Sequence, residues 1–186
     1  LEVVRLLLSK SEIDINKAMD GGYTALYIAS QKGHLEVVRL LLSKSEIDIN
    51  KAEDNGCTAL YIASQNNHVE VVELLLSKSD IDINKAMNDG STALYFASQK
   101  GHDEVVDLLL SKSDIDINKG QKDGATALFI ASSFGHREVV RLLLSKSDID
   151  INKANDNGSI ALYIASQNGH LEVVRLLLSK SEIDIN

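Results

Sequence analysis

Two kinds of side chain in this 186-residue sequence have types and spacings suited to chemistry: five histidines and a single cysteine. Histidine is the commonest protein metal ligand and a general base near neutral pH. His34, His68, His102, His136 and His170 follow one another at intervals of 34 residues. On stacked units they would stand about 10 Å apart at ordinary helix spacing, too far to share an ion. The spacing therefore points to a structural role. Cys57 would need an adjacent base to act as a nucleophile, and the repeat places no histidine beside it. No Gly-rich phosphate loop stands out from the repeating pattern.

A third set is acidic. Asp80-x-Asp82-x-Asn84, with its equivalents at 114–118 and 148–152, copies the opening of a calcium-binding loop. Lysine follows, and no bidentate glutamate comes at the distance such a loop requires. The simpler expectation is an extended connector with isoleucines inward and carboxylates outward, balanced by the columns of Lys44, Lys51 and their equivalents. Weak calcium binding is the minor alternative. The sequence thus predicts no catalytic residue, no cofactor and no metal site: this is not an enzyme.

Composition narrows the setting. A lone cysteine forms no internal disulfide, which predicts a reducing, intracellular and cytoplasmic location. That setting makes the glycosylation pattern Asn157-Gly158-Ser159 a coincidence. A net charge of −8 with scattered lysines excludes a nucleic-acid groove or a membrane-binding patch. No apolar stretch approaches a membrane span, and the charges inside residues 1–8 suit an amphipathic helix, not a leader.

The histidine interval holds for every other feature. Residues 1–16 are identical to 35–50 and to 171–186. The chain divides into a partial unit, 1–16, and five whole units: 17–50, 51–84, 85–118, 119–152 and 153–186. These form one array, predicted to be a fragment of a longer one. Each unit opens on a polar stretch ending in a glycine pair or Asx-Gly (Gly21-Gly22, Asn55-Gly56, Asp89-Gly90, Asp123-Gly124, Asn157-Gly158), which suits the positive φ of a tight hairpin turn. Thr24 is the expected N-cap of a short helix over Ala25–Lys32, stopped by Gly33. Asn67 takes the place of that glycine in the second unit. A second helix follows His34, with Val37, Val38, Leu40, Leu41 and Leu42 on one broad face and Glu36 at its positive end. Helices this short persist only by stacking. The fold class is all-α, a solenoid of helix-turn-helix units joined by hairpin-like turns.

The run Gly-x-Thr-Ala-Leu-Tyr-x-Ala-Ser-x-x-Gly-His-x-x-Val-Val-x-Leu-Leu-Leu, followed by Asp-Ile-Asn, resembles the ankyrin repeat along the whole chain. Thr-Ala-Leu-Tyr stands where that family has Thr-Pro-Leu-His, and Ala-Ser replaces Ala-Ala. The period is 34, not 33, the extra residue falling after the second helix. The resemblance implies a protein-interaction scaffold whose hairpin tips and first helices line a concave groove. The near-identity of the units supports an alternative, a structural spacer that sets length or stacks end to end.

Comparing the units with one another separates a fixed scaffold from variable positions. Variation is greatest before the hairpin tip (Met19, Glu53, Met87, Gln121, Asn155), after the turn glycine (Tyr23, Cys57, Ser91, Ala125, Ser159), and at the end of the first helix (Lys32, Asn66, Lys100, Phe134, Asn168). By the resemblance these fifteen are the candidate partner contacts. Phe134 is the sharpest, an aromatic where its counterparts are Lys or Asn; packing on the adjacent unit is its other reading. Two second-helix positions, those of Leu35 and Arg39, also vary and are read as solvent-facing drift. Ile160 replaces the capping threonine and should cost about 1 kcal/mol. Without polar end units, head-to-tail self-association through the end faces is a further expectation.

Overall fold

The computed structural model describes Glu2, Leu6 and residues 13–184; most of the partial unit 1–16 lies outside the described residues. Among the described residues there are ten helices, two to each 34-residue unit, and no strand. The first helices are α1 (Ala25–Gln31), α3 (Ala59–Gln65), α5 (Ala93–Lys100), α7 (Ala127–Phe134) and α9 (Ala161–Gln167). The second helices are α2 (Leu35–Leu41), α4 (Val69–Leu76), α6 (Asp103–Leu110), α8 (Arg137–Leu143) and α10 (Leu171–Leu178).

Local chemistry sets both ends of each first helix. Thr24 Oγ1 accepts the N–H of Tyr27 at 3.1 Å, and Thr58, Thr92 and Thr126 do the same in their units. Ile160 offers no such bond to α9. At the other end Gly33 turns left-handed with φ 69°. Its N–H bonds Ser30 O while the next N–H, of His34, bonds Ala29 O, closing the helix in a Schellman turn. Asn67 fills this place in the second unit with φ 58°. The hairpin turns differ from the expectation of an Asx-Gly pair. In the last four units the positive φ falls on the glycine alone. Glu53 N–H bonds Cys57 O and Gly56 N–H bonds Glu53 O, the pattern of a three-residue loop with a left-handed last residue. In the first unit both Gly21 and Gly22 have positive φ.

Packing between units makes the core. Leu26, Leu60, Leu94 and Leu128 from the first helices meet Val38, Val72, Val106, Leu75, Leu109 and Leu143 from the second, all at most 2% exposed. The first helices pack on one another more closely than the second helices do. The cause is side-chain size: the first-helix contacts are Ala29, Ala63, Ala97, Ala131 and Ala165, where the second helices use Val and Leu. The first helices and the adjoining hairpins are the side that the sequence resemblance expects to line a groove. The small residues have a cost. Ser30, Ser64, Ser98 and Ser132 are buried beside these alanines, and their hydroxyls have no hydrogen-bond partner.

Candidate functional site

Of the five histidines that first invited a catalytic reading, four join one unit to the next. His68 Nε2 donates to Gln31 O at 3.0 Å, across the unit boundary. His102, His136 and His170 make the same bond to Gln65, Gln99 and Ser133. The acceptor is a carbonyl at the C-terminus of a first helix, left open by the helix itself. The ring lies so close to the preceding unit that a Cβ on Gly33 would come within 2.6 Å of His68 Nδ1. Glycine suits that place twice, for its φ and for this approach, although Asn67 occupies the equivalent place before His102.

The acidic connector joins the units on another side. Asn50 Nδ2 donates to Asp80 O at 2.7 Å, and its Oδ1 accepts the N–H of Asp82 at 2.8 Å. Asn16, Asn84, Asn118 and Asn152 repeat this two-way pairing. A side-chain amide here stands in for a backbone strand partner. The carboxylate of Asp48 takes the N–H of Asn50 in a local turn, as Asp82, Asp116 and Asp150 do in theirs. The lysines do not balance these acids. Lys51, Lys85, Lys119 and Lys153 each donate Nζ to the asparagine carbonyl 35 residues earlier, and Lys78 donates to Leu42 O. Of each isoleucine pair the second member is buried (Ile49, Ile83, Ile117, Ile151), while the first is only half-buried. No group of three His, Cys, Asp or Glu side chains gathers as a metal-ligand set among the described residues.

The hairpin tips form a third ladder: Asp54, Asn88, Lys122 and Asp156 donate N–H to Gly21, Asn55, Asp89 and Asp123. Within each of the last four tips one acceptor braces the loop, and it comes from either of two positions. Glu53 carboxylate oxygens accept from Asn55 and Cys57, and Asn155 Oδ1 accepts from Asn157 and Ser159. Where Met87 and Gln121 do not serve, Asp89 and Asp123 two residues later accept from Ser91 and Ala125. Variation before the tip thus follows partly from this exchange of roles, which a column-by-column comparison does not show.

The fifteen candidate contacts divide by burial. Met19, Tyr23, Lys32, Asn66, Lys100, Phe134 and Asn168 are exposed, and Met87, Gln121, Asn155 and Ser159 are partly so. Glu53, Cys57, Ser91 and Ala125 are buried and do not belong to the surface. After the turn glycine Cys57, Ser91 and Ala125 are buried, whereas Tyr23 is open and Ser159 partly so. Cys57 adjoins Tyr27 and Tyr61, and Gln121 Nε2 reaches back to Ser91 Oγ at 2.6 Å. Asn66 and Asn168 also donate to Gln31 O and Ser133 O of the preceding unit. Phe134 is 54% exposed and stacks on His136 of its own unit, with ring centroids 6.1 Å apart; neither expected alternative included that partner.

Two short helices and a hairpin recur in every whole unit, and from 51–84 onward a histidine bonds the first helix of the preceding unit. A model of ankyrin repeats, in three copies, matches residues 1–53, 47–121 and 113–186. The chain is an ankyrin-repeat protein. Ankyrin repeats are in general protein-interaction modules and typically not enzymes. No curated protein matches the chain closely enough to add a relative. Among the described residues no helix of this ankyrin array is long and apolar enough to cross a membrane. The tyrosines in place of the family's histidine form a column of their own. Tyr27, Tyr61 and Tyr95 are buried between units, whereas Tyr163 is 57% exposed. Burial raises all three buried phenols above their ordinary range, Tyr95 to about 12.

Proposed function

We propose that this ankyrin array is a non-enzymatic scaffold that holds a protein partner along its inner side, between the hairpin tips and the first helices, in a reducing cytoplasmic setting. One observation carries the reading. Exposed side chains on that side change from unit to unit (Met19, Tyr23, Lys32, Asn66, Lys100, Phe134, Asn168), while the connector side repeats the same bonds. Variation on a rigid frame is what a specific contact surface needs.

Met19→Asp and Phe134→Asp test this. Both side chains are well exposed, so the fold should survive, while a captured partner loses affinity by about tenfold or more. Arg39→Glu and Glu73→Lys, on the second helices, should leave capture unchanged. The opposite pattern, loss only from the second-helix changes, would sink the reading.

A spacer that stacks end to end is the second reading, favoured by the near-identity of the units, residues 1–16 recurring unchanged at 35–50 and 171–186. Light scattering over rising concentration separates the two: a strict monomer rules out self-stacking.

A further inference from the structure

We propose that the part of the groove built by units 17–50, 51–84 and 85–118 seats an extended protein segment presenting an apolar side chain flanked by lysine or arginine. This rests on the groove being the binding side and adds the chemistry of the occupant.

The floor is apolar. Tyr27, Cys57, Tyr61 and Ile62 form a cluster separate from the leucine core, with Met87 and Phe96 half-buried against it. Ring contacts extend it in both directions: Tyr23 to Tyr27 at 5.2 Å, Tyr61 to Phe96 at 5.1 Å, Phe96 to Tyr95 at 5.7 Å. The cluster itself is buried, but Tyr23 on Tyr27 is 37% exposed, and Met19 (74%) and Ile28 (38%) of the same unit are exposed as well. Exposed apolar side chains gathered on one unit offer an anchor to a contact.

The rim is acidic. The three tips above this floor carry Asp20, Asp54 and Asp89, all exposed, with no Lys or Arg among them. Asp89 spends one oxygen on Ser91 N–H and keeps the other. Buried Glu53 adds a fourth negative charge, satisfied by N–H donors and the Asn55 amide, not by a cation. The field reaches the floor: after burial and Cys57, Asp89 helps hold the proton on Tyr61, and after burial Asp123 and then Asp89 help hold the proton on Tyr95. At the fourth tip Lys122 stands beside Asp123 and breaks the row. A partner's lysine or arginine stems pack on aromatic rings while their charged ends reach such a rim. Exposed ion pairs add little energy each. The apolar anchor therefore supplies affinity, and the rim selects the sign of charge and steers encounter.

The probes are labelled dodecapeptides with a central Leu-Phe pair flanked by Lys, by Gln or by Glu, measured by fluorescence anisotropy. The Lys peptide should bind about tenfold tighter than the Gln peptide, with the Glu peptide weakest. High salt should close most of that gap. So should the triple change Asp20→Asn, Asp54→Asn and Asp89→Asn, the last of which keeps an amide oxygen to accept from Ser91. Met19→Ala with Ile28→Ala should weaken Lys and Gln peptides alike. Melting curves of each variant confirm that it is folded. Equal binding of Lys and Gln peptides, indifference to the Asn substitutions, or no binding of the Lys peptide overturns the inference. A partner held at the tips through a neutral or acidic segment overturns it alone. Capture indifferent to every tip substitution overturns the scaffold reading as well.

Discussion

One hydroxyl separates the last first-helix from the other four. Thr24, Thr58, Thr92 and Thr126 each cap a helix, and Ile160 leaves the corresponding N–H of α9 without that acceptor. Ile160→Thr should raise stability by about 1 kcal/mol, read as a higher urea midpoint at unchanged slope; an unmoved midpoint would show that this end is held by other contacts. Alkaline pH probes a second residue. Burial pushes the Cys57 thiol from its ordinary 9.0 to about 12, and the Tyr95 phenol from 10.0 to about 12. Both are kept neutral in the folded chain, while the unfolded chain ionises them at ordinary values. Their contribution to stability is complete below pH 9 and is lost as pH rises towards 12. Cys57→Ala, the residue found at position 125, removes the earliest of these groups. The fall in melting temperature should then begin nearer pH 10; identical pH profiles for the two chains would mean that the thiol does not report.

At the scale of the element, helix ends tie the units together. Gly101→Ala faces two obstacles, a φ of 70° and a Cβ 2.6 Å from His136 Nδ1. Gly169→Ala meets only the first, with φ 74° and nothing within 4 Å. The left-handed backbone costs about 1–2 kcal/mol in each. Denaturation should show the larger loss for Gly101→Ala, and the difference measures the histidine contact; equal losses would show that the ring moves aside freely. The helices, the threonine caps, the stop at Asn67 and the weak start at Ile160 are all legible in the sequence, because each signal lies within four residues of what it controls. The work of the histidines, asparagines and lysines is not. Their acceptors lie 30 to 37 residues away, and a uniform column looks the same whether it faces solvent or a neighbour. The burial of Cys57, Ser91 and Ala125 is hidden for a related reason: variation at a small residue reflects the next unit's packing as readily as a free surface.

For the whole molecule, stability is a sum of units and of the junctions between them. Asn84 occupies a central junction and makes bonds in both directions across it, to Asp114 O and from Asp116 N–H. Asn84→Ala removes both and leaves those backbone groups without the partner they have now, a loss of about 2–3 kcal/mol. Because the change weakens one junction and not a unit, urea unfolding should broaden or split into two steps as the halves part company. A single transition shifted without broadening would show that the remaining core contacts keep the stack cooperative.

The constancy of those junctions governs how the gene can change in length. Every asparagine pairing spans 30 and 32 positions, every lysine bond to an asparagine carbonyl 35 and every histidine bond 37. Excising all of 85–118 brings 51–84 against 119–152 with each span restored, so the shortened chain should still melt as a helical array by circular dichroism. Excising Ser79 alone shifts the spans from Asn50 to Asp80, Asp82 and Lys85 and from Gln65 to His102, and should cost far more, although it removes a single exposed residue. Insertions and deletions are therefore tolerated in whole modules and penalised in fractions, so the array grows or shrinks in fixed steps without redesign of any junction.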